Sequence, residues 1–204
     1  MKYLKKYDAL IGQDKIIVST GNNFDIFDAV NNNDIKLAKE LIKKGANINM
    51  SFVDNFNTRY DNGQKFSSGD TPLIAAIYYK KDPKMVKFLI DAGADVNISD
   101  KTDTTPLMCA ALKGDILSTK YLIEANADID KKSRDGCTSL MLAARHGHIE
   151  VVEELIDAGA NVFILDDKNR DFYDIAANSD FAAGVTKYIE EKYPELIAAK
   201  KYNL

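Results

Sequence analysis

The sequence predicts an all-α repeat solenoid of about five units joined by short β-hairpin fingers. Three observations carry that prediction. First, Thr71-Pro72-Leu73-Ile74-Ala75-Ala76, Thr105-Pro106-Leu107-Met108-Cys109-Ala110-Ala111 and Thr138-Ser139-Leu140-Met141-Leu142-Ala143-Ala144 align, with starts 34 and 33 residues apart. Second, each is followed by an apolar segment of one type: Phe88 to Asn97, Tyr121 to Asp130, and Glu154 to Val162. Third, Gly, Asn or Asp recurs in phase at two places per unit. One set is Gly45, Gly93, Asn126 and Gly159; the other is Gly69, Asp103, Gly136 and Asn169. These residue types tolerate a left-handed backbone.

Within a unit, threonine opens the first helix, because its hydroxyl caps free N–H groups and proline suits the first helical position. The alanine pair keeps that helix narrow, so neighbouring units approach closely. A break follows at Lys81-Asp82-Pro83, Lys113-Gly114-Asp115 or His146-Gly147-His148. The extra residue before Pro83 accounts for the longer period. The second helix has apolar residues at helical spacing, as at Val151, Val152, Leu155 and Ile156. It ends on the first set of left-handed residues. Degenerate units flank the regular ones, with Leu41 to Asn49 ending the first and Asp171 to Ala177 opening the last.

A helix, turn, helix and hairpin in about 33 residues, opened by Thr-Pro-Leu, resembles the ankyrin-repeat pattern. Gly147-His148-Ile149-Glu150-Val151-Val152 is similar to the family consensus there. The histidine usual after Thr-Pro-Leu is replaced by Ile74, Met108 and Met141, which exchanges a polar link for apolar volume. The resemblance implies a repeat domain over residues 23–192, with units at about 23–69, 70–103, 104–136, 137–169 and 170–192. Residues 1–22 form an N-terminal capping segment, and 193–204 a C-terminal tail or short helix.

The first unit exceeds the period by an insertion, residues 50–68, rich in aromatics and holding the turn signal Asp61-Asn62-Gly63. It reads as a long finger. Its Phe52, Phe56 and Tyr60 either meet a partner or only cover the first repeats.

The resemblance also implies binding through fingers and first helices. In this register the fingers offer Ser99, Lys101, Thr104, Lys132, Arg134, Cys137, Leu165, Asp167 and Arg170. The first-helix ends offer Tyr78, Tyr79, Leu112, Arg145 and Asn178. The cations make this strip more basic than the chain, so a partner protein with an acidic surface is expected. Tyr and Arg are frequent anchors of interfaces.

The net charge of −4 in 204 residues argues against a nucleic-acid binder. No run reaches the roughly 18 apolar residues of a membrane span, and the lysine-containing N-terminus is a poor signal peptide. Cys109 and Cys137 lack zinc or disulfide spacing, so reduced thiols in a cytoplasmic monomer are expected. Cys109 reads as packing, and Cys137 as a thiol exposed near a finger base. His146 and His148, the only histidines, have no accompanying ligands. There is no phosphate loop or nucleophile triad. No enzyme, metal site or cofactor is expected. Asn97-Ile98-Ser99 matches a glycosylation sequon by chance.

Overall fold

The computed structural model describes residues 22–52, 66–80, 82–179 and 183–202. The N-terminal capping segment lies outside them, as do Phe56 and Tyr60. Helices come in successive pairs. These are α1 (Asn22–Asn31) and α2 (Ile35–Lys43), α3 (Pro72–Ala75) and α4 (Pro83–Asp91), and α5 (Pro106–Lys113) and α6 (Ile116–Glu124). Then come α7 (Ser139–Arg145) and α8 (Ile149–Asp157), α9 (Phe172–Ala177) and α10 (Ala183–Lys192), and finally α11 (Pro194–Tyr202). First helices stack α1 on α3, α3 on α5, α5 on α7 and α7 on α9. Second helices stack from α4 through α6 and α8 to α10. Each pair therefore packs mainly on its neighbours, as in a solenoid.

The alanine pairs explain the close stacking of first helices. Ala75, Ala76, Ala110, Ala111, Ala143 and Ala144 are all fully buried. Leu73, Leu107 and Leu140 fill the same layer, with Met85, Leu89 and Leu122 behind them on second helices. All eight residues of the two in-phase sets have positive φ, including Asp103 (59°) and Asn126 (62°). The extra residue of the longer period is taken up inside the first helix. Ala76–Lys80 continues α3 as a π-helical turn, which absorbs one residue while Ile77 stays buried.

Thr71, Thr105 and Thr138 cap their helices, accepting from Ile74, Met108 and Met141 N–H at 3.2, 3.2 and 3.4 Å. The methionines that replace histidine do more than fill space. Met108 and Met141 Sδ accept the threonine N–H at 3.5 and 3.4 Å, closing a capping box with sulfur. In the unit opened by Thr138, serine occupies the place of Pro72 and Pro106. Ser139 is buried, and its hydroxyl is the buried side-chain polar atom without a hydrogen-bond partner among the described residues. Ser139→Pro should therefore raise stability by about 1 kcal/mol, by removing an unsatisfied hydroxyl and restricting the unfolded chain. Urea unfolding checks this; a lowered midpoint would show that the ring does not fit.

The fingers differ from the expected β-hairpins. Among the described residues none is in a β-strand. Each of three fingers is a turn closed by one backbone bond: Asp100 N–H to Thr104 O (3.0 Å), Ser133 N–H to Cys137 O (2.9 Å), Asp166 N–H to Arg170 O (2.9 Å). Side chains compete for the donors that a strand ladder would use. Asp100 Oδ1 accepts from Thr102 and Thr104 N–H at 2.7 and 2.9 Å. Asp166 Oδ1 accepts from Lys168 and Arg170 N–H, both at 2.9 Å.

At the C-terminal end, Lys192 pairs with Glu153, and Tyr193 donates to Asp157 at 3.0 Å, tying α10 to α8. Leu196 and Ile197 of α11 line a shallow cleft with Val162, Phe163, Phe172 and Tyr173.

Candidate binding surface

The surface rests on a ladder between units. Asn49 Oδ1 accepts from Asp95 N–H at 2.8 Å, Asn97 Oδ1 from Asp128 N–H at 2.8 Å, and Asp130 Oδ1 from Asn161 N–H at 2.9 Å. Each of these side chains reaches forward to the next unit and fixes its finger. Asn97 also accepts from Lys131 Nζ at its carbonyl, 3.0 Å away. The sequon asparagine is thus a structural link. The fingers also touch directly, since Arg134 N–H donates to Thr102 O at 3.1 Å.

On this frame Lys101 and Lys132 are exposed at successive finger tips, and Thr104 is half-buried. Thr104 shares a 2.8 Å hydroxyl contact with Thr102. Three further cations are engaged within the chain. Arg134 donates to the carbonyl of Lys101, and Arg145 approaches Cys137 Sγ at 3.3 Å. Arg170 donates to Asp166 Oδ2 through Nε and Nη2 at 3.0 and 2.7 Å. Burial pushes the Asp166 carboxyl up. The hydrogen bonds from Arg170 and two backbone N–H groups outweigh it and hold the acid below the usual range. Asp103, Asp135 and Asp167 are exposed on the same fingers. The strip is therefore less basic than its cation count implies.

Cys137 is not the exposed thiol the sequence suggested. It is only 4% exposed, because the finger turns back over it and Arg145 covers its sulfur. Cys109 is buried, and desolvation pushes its thiol well up, which makes it inert.

The aromatic residues of the insertion divide. Phe52 is 2% exposed, so it is core and not a direct partner contact. Its ring lies 5.2 Å from Phe27 and 5.7 Å from Phe66. Phe66 continues to Tyr79 at 5.1 Å, and Tyr79 to Tyr78 at 4.9 Å. Backbone bonds close the base of the insertion: Phe52 N–H to Asp70 O and Gly69 N–H to Phe52 O, both 2.7 Å. Tyr79 is engaged there too. Its hydroxyl donates to Asp70 Oδ2 at 2.9 Å, beside Ser67 N–H at 2.7 Å from the same oxygen. Tyr78 remains 36% exposed, and Leu112 is half-buried.

Asp70 is a group that sequence reasoning missed. Desolvation by burial pushes its carboxyl up to about 6 from 3.8, against the two hydrogen bonds, with Asp100 adding repulsion. The folded value lies above the unfolded one. Its stabilising contribution is therefore full below pH 3.8 and is lost as pH rises through about 6. Asp70→Asn keeps an acceptor for Ser67 and Tyr79 without the charge. It should gain about 2 kcal/mol relative to the parent at pH 7.5 and little at pH 4. Urea midpoints of both proteins across that range check the sign; a variant less stable at pH 7.5 would contradict it.

Among the described residues no three His, Cys, Asp or Glu side chains converge as metal ligands. His148 Nε2 lies 3.2 Å from Leu112 O, so this histidine links two units. Nor is any described helix long and apolar enough to cross a membrane.

A family model described as ankyrin repeats matches three overlapping stretches, residues 4–100, 26–132 and 73–166. The chain belongs to the ankyrin-repeat family. A similar protein is the mouse (Mus musculus) "Fibronectin type 3 and ankyrin repeat domains 1 protein", 51% identical over 45 residues. That match covers 22% of this chain and 13% of the mouse protein, so its likeness is confined to the repeat. Ankyrin repeats generally serve as protein-interaction modules and bind protein partners, and the family is typically non-catalytic.

Proposed function

We propose that this ankyrin-repeat chain binds a partner protein through its fingers and first-helix ends, without catalytic activity of its own. The observation that carries this reading is the row of finger tips. Lys101, Lys132 and Arg134 side chains are exposed on turns whose backbones are held unit to unit by Asn49, Asn97 and Asp130. A rigid frame with exposed, unlike side chains binds with little ordering cost. Phe163 and Leu165 extend the row with apolar surface at the last finger. In this reading five units form a cytoplasmic monomer, the inserted finger adds contacts beyond the row, and nucleic acid and membranes are not partners.

Charge reversal at Lys101 and Lys132 tests it, because neither side chain holds the fold. Capture of a stoichiometric partner from the source cell should drop about tenfold in the double variant. Undiminished capture would remove the fingers from the interface. The second reading, a scaffold with several weak partners, predicts many substoichiometric proteins instead.

A further inference from the structure

The breaks between first and second helices form a row of their own, and its charges are sorted. The acids there face the second helices. Asp82 Oδ1 accepts from Lys84 N–H at 2.9 Å, and Asp115 accepts from Ser118 N–H and Oγ at 3.1 and 2.6 Å. The cations are left facing outward. Lys113 ends α5, and its Nζ sits 3.7 Å above the Tyr78 ring, with no carboxylate partner among the described residues. Arg145 ends α7 and meets only the thiol of Cys137, a weak acceptor that leaves its charge uncompensated. His146 is exposed next to it, with its ring stacked 6.1 Å from His148. Burial holds His146 below its ordinary value, and His148, Arg145 and Lys113 add to this as neighbouring positive charges. Positive potential is thus concentrated at one place on an acidic chain.

We propose that Lys113, Arg145 and His146, framed by the exposed ring of Tyr78, take the carboxylates of an acidic segment of the partner protein. The inference rests on the protein-binding reading above and names the partner's chemistry. The geometry sets a spacing. Neighbouring packed helices lie about 8–10 Å apart. A polyproline-II segment brings every third side chain to one face at roughly 9 Å intervals. Acids at positions i and i+3 therefore meet Lys113 on α5 and the Arg145–His146 pair on α7. Tyr78 supplies an apolar rest for the residue beyond.

The test titrates the full chain with a capped peptide carrying glutamate at every third position among alanine and proline, followed by the NMR shifts of His146 and Arg145. Saturable binding that weakens with salt is expected, with a loss of about tenfold in Lys113→Gln/Arg145→Gln and under twofold in Lys101→Gln/Lys132→Gln. Three results would overturn the proposal: a glutamine peptide that binds as well, a block of consecutive glutamates that binds better, or no saturable binding. Tighter binding of inorganic phosphate or a phosphoserine peptide at the same residues would also overturn it, in favour of a phosphate site. A chain that binds the peptide but captures no protein from the cell keeps this inference and loses the broader reading. One that captures its partner unchanged after Lys113→Gln/Arg145→Gln loses this inference alone.

Discussion

Phe66→Ala should cost the fold about 3–5 kcal/mol, the largest effect of any single truncation considered. Phe66 is fully buried, and its ring touches three others, Phe27 at 5.3 Å, Phe52 at 5.7 Å and Tyr79 at 5.1 Å. Removing it leaves a void that the first helix cannot close, because α1 is held on α2 and α3 at once. The rings also gain from edge-on contacts beyond their buried area. The loss is local. Units of a solenoid contact only their neighbours, so the first unit should melt ahead of the rest and split one urea transition into two. Circular dichroism along a urea series would reveal it. Phe163→Ala is the control, since that ring is 50% exposed on a finger, and it should change stability by less than about 0.5 kcal/mol. A Phe66→Ala variant within about 1 kcal/mol of the parent would mean that this ring is surface after all.

The aromatic cluster also shows where the sequence was legible and where it was not. Periodicity marked the helix pairs, and the recurring Gly, Asn and Asp marked the left-handed positions, because both properties are local to the chain. Phe52 and Phe66 carry no such local mark. They flank the insertion, out of phase with the repeat, and only their contact with Phe27 and Tyr79 makes them core. Charge was misleading for the same reason. Arg134, Arg145 and Arg170 count as cations in the sequence, but Lys101 O, Cys137 Sγ and Asp166 engage them in the fold. The ladder of Asn49, Asn97 and Asp130 had a usable signal. Asn97 and Asp130 recur at the repeat period, and a polar residue in a fixed register points to a shared hydrogen bond. The Lys113 and His146 row had none, since only the inward turn of Asp115 leaves the cations outward.

Gly136→Ala separates backbone strain from packing between fingers, and should destabilise by about 2–4 kcal/mol. Gly136 has φ +74°, where a side chain adds strain of about 1–2 kcal/mol. A methyl there would stand 2.4 Å from Asp167 Oδ1 and 2.7 Å from Asp167 N. The side-chain oxygen can swing away, but the backbone nitrogen cannot move alone. It belongs to the finger closed by Asp166 N–H to Arg170 O, so that finger must shift as a body. Gly159→Ala supplies the reference. It too is left-handed, at φ +91°, yet a methyl there meets nothing within 4 Å. It should cost the strain alone, about 1–2 kcal/mol. The difference between the two variants measures how firmly one finger rests on the next. Equal losses would show that the fingers are only loosely stacked, and a rigid row of tips could not then be the basis of binding. A larger loss at Gly136, with faster amide exchange confined to 133–137 and 166–170, would show that the fingers hold each other in place, as a preformed binding surface requires.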